Sequence, residues 1–226
     1  MSSNDVTVVL VHGAWADGSS WAKVAAPLAA GGLKVIAAQM PLTSLEEDVA
    51  AVGRAIERAA GPVVLVGHAY GGAVITAVRS SKVKALVYVA AGAPDQGETI
   101  VEAFYGAAPP PLNPDRHGLI YLPDEAISAA FAPDAEKDEL AVLAAVQRPI
   151  AIGAITVPMP HPLWKDVPSW FLVAERDQML PGQTQRRMAE RMKAAIRSHP
   201  VDHSPLVTAP SLVVGIIAEA VAGIAQ

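Results

Sequence analysis

The sequence predicts an α/β protein with a mostly parallel, six-stranded sheet flanked by helices. Three observations support this prediction. Short apolar runs alternate with stretches of helical character, the apolar residues are mainly Ala, Val, Leu and Ile, and 226 residues suit a single domain. Strands that alternate with helices form βαβ units and parallel sheets, whose strands are buried on both faces and are therefore apolar throughout.

Six apolar runs have the length of strands: Thr7–Val11, Lys34–Ala38, residues 63–66, Val83–Val89, residues 169–173 and the weaker run Ala195–His199. Helices are predicted at residues 20–30, 44–59, 71–80, 183–193 and 211–222. Gly31 and Gly61 follow two of them as typical helix ends. Ser44, with Glu47 three residues later, has the pattern of a capping box, and Pro210 stands where a helix can begin.

Residues 97–166 interrupt this alternation. The segment contains Pro109-Pro110-Pro111 and several short helical pieces, and its aromatic side chains require burial; these are Phe104, Tyr105, Phe131 and Trp164. A long segment without strand pattern inside a compact domain is often a lid or a binding region. We therefore expect a single domain with a core of residues 1–96 and 167–226. A helical cap, residues 97–166, is inserted between the fourth and fifth strands, and a poorly ordered excursion is the alternative.

Composition and charge restrict the partners. The net charge is -5 without a basic run, which disfavours nucleic acid because neutralising phosphates requires clustered Lys and Arg. No stretch is apolar enough to span a bilayer, and the polar start lacks the basic region of a signal peptide. The absence of cysteine fits the cytoplasm. We expect a cytoplasmic protein that binds a small molecule and neither nucleic acid nor membrane, and pairing of the cap into a homodimer stays open.

Residues 67–72, Gly-His-Ala-Tyr-Gly-Gly, give the strongest chemical signal. They join the third strand to the next helix, which is the context of a nucleophile elbow with the usual pattern Gly-x-Ser-x-Gly. The central residue of so sharp a turn has a positive φ, and Gly67 and Gly71 leave room for the backbone. Ala69 occupies the place of the serine. A glycine-rich turn without chemistry is the alternative interpretation.

Two later residues match the partners of such a nucleophile. Asp177 lies in the loop after the fifth strand, where the acid is expected, and His203 lies before the last helix, where the base is expected. The order of nucleophile position, acid and histidine differs from the chymotrypsin and subtilisin orders. Asp95, after the fourth strand, is the alternative acid, and Glu175 is interpreted as a surface residue. A helix cap at Asp177 and a surface histidine at 203 are the structural alternatives.

Residues 12–15, His-Gly-Ala-Trp, follow the first strand. The turn after that strand supplies one backbone N–H of an oxyanion hole, and the residue after the nucleophile supplies the other. These residues are Ala14 and Tyr70. His12 is interpreted as structural and bonded to nearby backbone. Three further residues are expected to contact substrate: Trp15, His68 and Trp164.

Over its whole length the chain resembles the α/β-hydrolase superfamily. The resemblance rests on residues 8–15, the turn at 67–72, Asp177 and residues 203–210, His-Ser-Pro-Leu-Val-Thr-Ala-Pro. It is closest to small bacterial esterase-like hydrolases and to plant methyl esterases and hydroxynitrile lyases. The resemblance implies the α/β-hydrolase fold and neither metal nor organic cofactor. It also implies roles for four residues: Asp177 and His203 as catalytic partners, Ala14 and Tyr70 as oxyanion donors.

The resemblance implies a carboxylic-ester hydrolase that acts on a small, largely apolar substrate through Ser-His-Asp chemistry. A methyl group cannot attack an ester, and losing a triad serine removes a factor of roughly 10⁴–10⁶ in turnover. We therefore expect the chain with Ala69 to be inactive, whether this alanine is natural or an engineered replacement of serine. Two alternatives remain: a non-hydrolytic enzyme that uses the His203–Asp177 dyad as a base, and a ligand-binding protein without catalysis.

Overall fold

A computed structural model describes residues 5–106 and 113–224 of the chain. Within these ranges it forms eight strands: β1 Thr7–Val11, β2 Lys34–Ala38, β3 Val63–His68, β4 Val83–Val89, β5 Leu119–Ile120, β6 Ile150–Ala151, β7 Ser169–Ala174 and β8 Ala195–His199. Six of them form a sheet in the order β2-β1-β3-β4-β7-β8, and every pairing in it is parallel. The predicted six-stranded α/β architecture is confirmed.

The helices of the described ranges are α1 Ala22–Ala30, α2 Leu45–Glu57, α3 Tyr70–Ala77, α4 Ile100–Tyr105, α5 Asp124–Ala126, α6 Lys137–Ala145, α7 Ile152–Ile155, α8 Gly182–Arg191, α9 Pro205–Thr208 and α10 Pro210–Ile224. Short 3₁₀ turns at Gly18–Trp21 and Leu163–Lys165 and a π turn at Ile127–Phe131 supplement them. Helices α2, α3 and α8 cover one face of the sheet, while α1 and α10 cover the other. Burial on both faces explains why the strands are apolar throughout.

Two helix ends differ in detail from the predictions. Ser44 caps α2 by accepting the N–H of Glu47, but the Glu47 carboxylate accepts hydrogen bonds from the Thr43 and Ser44 hydroxyls instead of closing a capping box. Helix α3 ends at Ala77 rather than at residue 80, because the backbone of Val78 turns extended, with φ −61° and ψ 145°. Both helices therefore form as predicted, but α2 has a different capping interaction and α3 ends earlier.

The segment between β4 and β7 consists of short helices and the antiparallel pair β5–β6. Strands of two residues carry no alternation pattern, and this pair was therefore not predicted. Phe131 and Trp164 are buried as expected, Phe104 is half-buried, and Tyr105 is 36% exposed. Residues Pro109-Pro110-Pro111 lie outside the described residues.

Helix α10 closes the chain against the sheet. Its inward face is apolar and buried through Val213, Ile216, Ile217 and Ala220. It comprises 15 residues, and none of the helices in the described part of the chain combines the length and apolarity needed to cross a membrane.

Candidate active site

The turn between β3 and α3 places Ala69 in a strained conformation. Its φ is 48° and its ψ is −117°, a region that residues with a Cβ rarely adopt. A Cβ on Gly71 would lie 2.5 Å from the carbonyl oxygen of His12, and one on Gly67 would lie 2.6 Å from that of Gly71. The two glycines thus allow the sharp passage at which Ala69 stands, as the sequence pattern predicted.

The structure brings Asp177 and His203 together. Nδ1 of His203 lies 2.7 Å from Oδ2 of Asp177, and both side chains are buried. The other carboxylate oxygen, Oδ1, accepts the backbone N–H groups of Met179 at 2.7 Å and Leu180 at 2.8 Å. A carboxylate oxygen accepts hydrogen bonds, and Nδ1 of His203 is placed to donate one to it. Its Nε2 forms no hydrogen bond with the described residues and is available to a ligand.

The alternative acids lie elsewhere. Asp95 forms an ion pair with Lys165, with 2.6 Å between its Oδ1 and Nζ. Glu175 pairs with Arg186 and is exposed, as interpreted from the sequence. Asp177 is therefore the carboxylate beside His203.

The two residues expected to form an oxyanion hole, Ala14 and Tyr70, are both buried at the cavity described below. Neither backbone N–H donates a hydrogen bond to the described residues. Tyr70 begins α3, where the first N–H groups of a helix lack an acceptor within it and favour negative charge. Buried N–H groups are normally paired, so this arrangement suits a ligand oxygen.

The side chain of Tyr70 is hydrogen-bonded to a buried carboxylic acid, Asp48. Its hydroxyl donates to Oδ2 of Asp48 at 2.6 Å, and Oδ1 of Asp48 accepts the N–H of Leu42 at 2.8 Å. Burial raises the pKa of Asp48 and that of Tyr70. Sequence reasoning missed Asp48, because an acid in the first turn of a helix is normally explained by the helix dipole.

A cavity of about 70 Å³ adjoins Ala69 and His203. Its lining is almost wholly apolar and includes Trp15 and residues of the segment between β4 and β7; these are Ile100, Val101, Phe104, Tyr105, Ile120, Phe131, Ile150 and Ile155. The volume exceeds what one water molecule needs and is below the roughly 150 Å³ of a cavity that holds benzene. A larger ligand therefore requires side chains of this segment to move.

The three residues expected to contact substrate separate into two groups. Trp15 lines the cavity, and its indole N–H donates to the Ile120 carbonyl at 2.9 Å. His68 and Trp164 are buried but do not belong to the cavity lining in the described ranges. His68 Nε2 donates to the carbonyl of His203 at 2.8 Å, and Trp164 Nε1 donates to that of Pro94 at 3.2 Å. His68 therefore supports the loop of His203 from outside the cavity, whereas Trp164 is bonded away from it.

His12 and His161 lie outside the lining of the cavity and have structural or surface roles. Nδ1 of His12 lies 2.8 Å from the Gly13 carbonyl, and its Nε2 accepts the N–H of Met40 at 3.1 Å. Burial lowers the pKa of His12. His161 is exposed and lies 3.0 Å from Asp166, away from the cavity. In residues 5–106 and 113–224, no group of three or more His, Asp or Glu side chains is arranged to hold a metal ion.

The turn after Phe131 is bonded to the loop that carries His203. Ser204 Oγ donates to the Phe131 carbonyl at 2.6 Å, and Oδ2 of Asp202 accepts the N–H of Asp134 at 3.1 Å. The rings of Phe131 and His203 lie 5.4 Å apart between centroids. The cavity wall and the histidine loop are therefore one hydrogen-bonded unit.

The alpha/beta hydrolase family matches this sequence over residues 8–216. The chain belongs to the alpha/beta hydrolase family. A carbendazim hydrolyzing esterase from Nocardioides sp. (strain SG-4G) is 34% identical over 120 residues, which cover 46% of this chain and only half of that esterase. The resemblance to this superfamily is thus confirmed.

Solved structures extend the likeness over the whole fold. A pyrethroid hydrolase from Sphingobium faniae JZ-2 has a TM-score of 0.83 at 23% identity, covering 96% of this chain and 97% of that chain. A methylesterase from Arabidopsis has a TM-score of 0.80 at 18% identity, covering 96% of this chain and 99% of that chain. At these identities the likeness shows a shared fold.

Proposed function

We propose that this chain carries the site of a carboxylic-ester hydrolase that works by Ser-His-Asp chemistry and lacks the serine hydroxyl. One observation carries the proposal: the Asp177–His203 pair, at 2.7 Å, lies at the same cavity as Ala69 in its strained turn. The carbendazim esterase among its relatives supports an ester as the substrate class.

With a serine at position 69, each neighbouring group has a step to perform. The hydroxyl attacks the acyl carbon while Nε2 of His203 takes its proton, and Asp177 stabilises the imidazolium through Nδ1. The backbone N–H groups of Ala14 and Tyr70 bind the resulting oxyanion. His203 then returns the proton to the departing alcohol, and water releases the acid by the same route. Ala69 stops this sequence at the first step.

The cavity supports a small, largely apolar acyl group as the part of the substrate next to position 69. Its walls are aliphatic and aromatic, and its volume of about 70 Å³ leaves no room for a large group in the described conformation. Apolar walls gain from burying apolar surface and offer few partners to polar groups.

The test compares the chain with its Ala69→Ser variant on short nitrophenyl and methyl esters. We expect hydrolysis by the serine form alone, at least roughly 10⁴-fold above the alanine form. The double change Ala69→Ser with His203→Ala is the matched control and should return to the rate of the alanine form. A folded Ala69→Ser variant that hydrolyses none of these esters would contradict the proposal.

One observation favours a second function, that of a base in the chain as it stands. Nε2 of His203 has no hydrogen-bond partner among the described residues, and His203 lines an apolar cavity. In the chain as it stands, the His203–Asp177 dyad would act as a base on an acidic C–H or O–H group. Ligand-dependent proton exchange in D₂O, abolished by His203→Ala, would support this function. Tight binding of a ligand without exchange or product would instead indicate a binding protein.

A further inference from the structure

Gln185 is buried completely although its helix is strongly polar. Helix α8 has the sequence Gly-Gln-Thr-Gln-Arg-Arg-Met-Ala-Glu-Arg, and Gln185 has no exposed surface. Sequence reasoning missed it, because a glutamine among arginines and glutamates is normally solvated.

Both polar atoms of the Gln185 amide form hydrogen bonds. Nε2 donates to Oδ2 of Asp177 at 2.8 Å and to the carbonyl of Leu180 at 2.7 Å. Oε1 accepts the N–H of Ala174, the last residue of β7, at 3.0 Å. A buried amide is costly unless its hydrogen bonds are made, so this position is built for an amide rather than for an apolar side chain.

The Asp177 carboxylate is consequently fixed at both oxygens. Oδ1 accepts two backbone N–H groups, those of Met179 and Leu180, and Oδ2 is shared by Gln185 and His203. Rotation of the carboxylate about Cβ–Cγ would break several of these bonds. Of the four donors, Gln185 and the two backbone groups hold the carboxylate independently of the histidine.

We propose that Gln185 is a positioning residue that holds Oδ2 of Asp177 against Nδ1 of His203. The inference rests on the proposed role of this pair as the acid and base of the site. A neutral donor suits this place. A lysine or arginine would neutralise the charge that stabilises the imidazolium, whereas a glutamate would repel the carboxylate. The amide fixes the direction of Oδ2 and leaves its charge available to the imidazolium.

The first arm of the test uses the Ala69→Ser chain. Gln185→Met keeps the length of the side chain and removes the donor, and we expect kcat to fall about 10- to 100-fold with KM unchanged. Relative to the Ala69→Ser parent at each pH, Gln185→Glu should lose kcat progressively as the pH rises, because its carboxyl ionises and then repels Asp177 instead of donating to it. Gln147→Met is the control, since the amide oxygen of Gln147 accepts the N–H of Leu122 at 2.7 Å away from the cavity. A purely structural role would lower stability without moving the pH profile.

The second arm needs no hydrolysis and uses the chain with Ala69. The Nδ1 proton of His203, hydrogen-bonded to the carboxylate, should give a far-downfield proton resonance by NMR. We expect Gln185→Met to shift or broaden this resonance while Gln147→Met leaves it unchanged. If Gln185→Met does not fold, Gln185→Glu is measured instead. Its resonance should change reversibly with pH over a range in which that of the unchanged chain does not. An unaltered resonance in the folded Gln185 variants would overturn the proposal, whereas an altered one without any esterase activity would count only against the hydrolase function.

Discussion

His68 is bonded through Nε2 to the carbonyl oxygen of His203, at 2.8 Å, so the elbow and the histidine loop are joined directly. Donation from Nε2 leaves Nδ1 of His68 without a proton, and this atom forms no hydrogen bond with the described residues. Burial lowers the pKa of His68 to about 3. A neutral histidine therefore holds the backbone of the proposed base.

The first prediction concerns stability in acid. The folded-state pKa of His68, about 3, lies below the ordinary value of 6.5, so the unfolded chain binds this proton first. The contribution of neutral His68 to the free energy of unfolding is fully present above pH 6.5. It is lost as the pH falls toward 3, by about 1.4 kcal/mol per pH unit. Urea unfolding between pH 7 and 4 should show a shallower loss in His68→Gln, which keeps a donor. Equal slopes in the two proteins would refute this prediction.

The second prediction concerns Asp48, whose pKa burial raises. A raised pKa in the folded state means that stability is present at low pH and is lost as the pH rises through that value. Asp48→Asn remains neutral throughout. The free energy of unfolding of Asp48→Asn, relative to that of the unchanged chain, should therefore increase as the pH rises above the ordinary carboxyl value of 3.8. A difference that does not vary with pH would show that Asp48 has an ordinary pKa in the folded protein.

The third prediction separates the two acids considered from the sequence. In the Ala69→Ser chain, Asp177→Asn should lower kcat by about 10⁴, because an amide that donates to Nδ1 of His203 imposes the wrong tautomer. Asp95→Asn should change kcat little, since Asp95 bonds Lys165. Steady-state kinetics on a nitrophenyl ester measure both. The reverse ranking would assign the acid to Asp95.

The fourth prediction tests the tightness of the elbow. Gly71→Ala would place a Cβ 2.5 Å from the His12 carbonyl oxygen, and we expect a loss of at least about 3 kcal/mol of stability or failure to fold. Gly53→Ala is the matched control in helix α2, where an added Cβ meets nothing within 4 Å. It should stabilise the protein by about 0.5–1 kcal/mol. Thermal unfolding compares the two, and a tolerated Gly71→Ala would mean that the turn can relax.

Much of the fold could be predicted because two-sided burial makes each strand of the sheet a continuous apolar run. Parallel strands also bring their carboxyl ends to one edge, as when Val11 pairs with Gly67 and Ala174 with His199. Loops after these strands therefore converge, which is why Asp177 and His203 could be picked from their places in the chain.

The surroundings of the pair could not be predicted in the same way. Gln185 is buried because it contacts the carboxylate of Asp177, which lies on a separate loop. The sequence of α8 alone does not predict this contact. Trp164 and His68, two of the residues predicted to contact substrate, lie outside the cavity lining in the described ranges. Composition predicts that such side chains are buried, but their neighbours are decided by packing between distant segments.

The bond from Ser204 to the Phe131 carbonyl, and that from Asp134 to Asp202, join one wall of the cavity to the loop that holds His203. A ligand that displaced Phe131 and the turn after it would strain both bonds, and the proposed base would then lose its alignment. Proton transfer would have to wait until the turn had returned. A molecule that holds this turn displaced should therefore occupy the pocket without reacting.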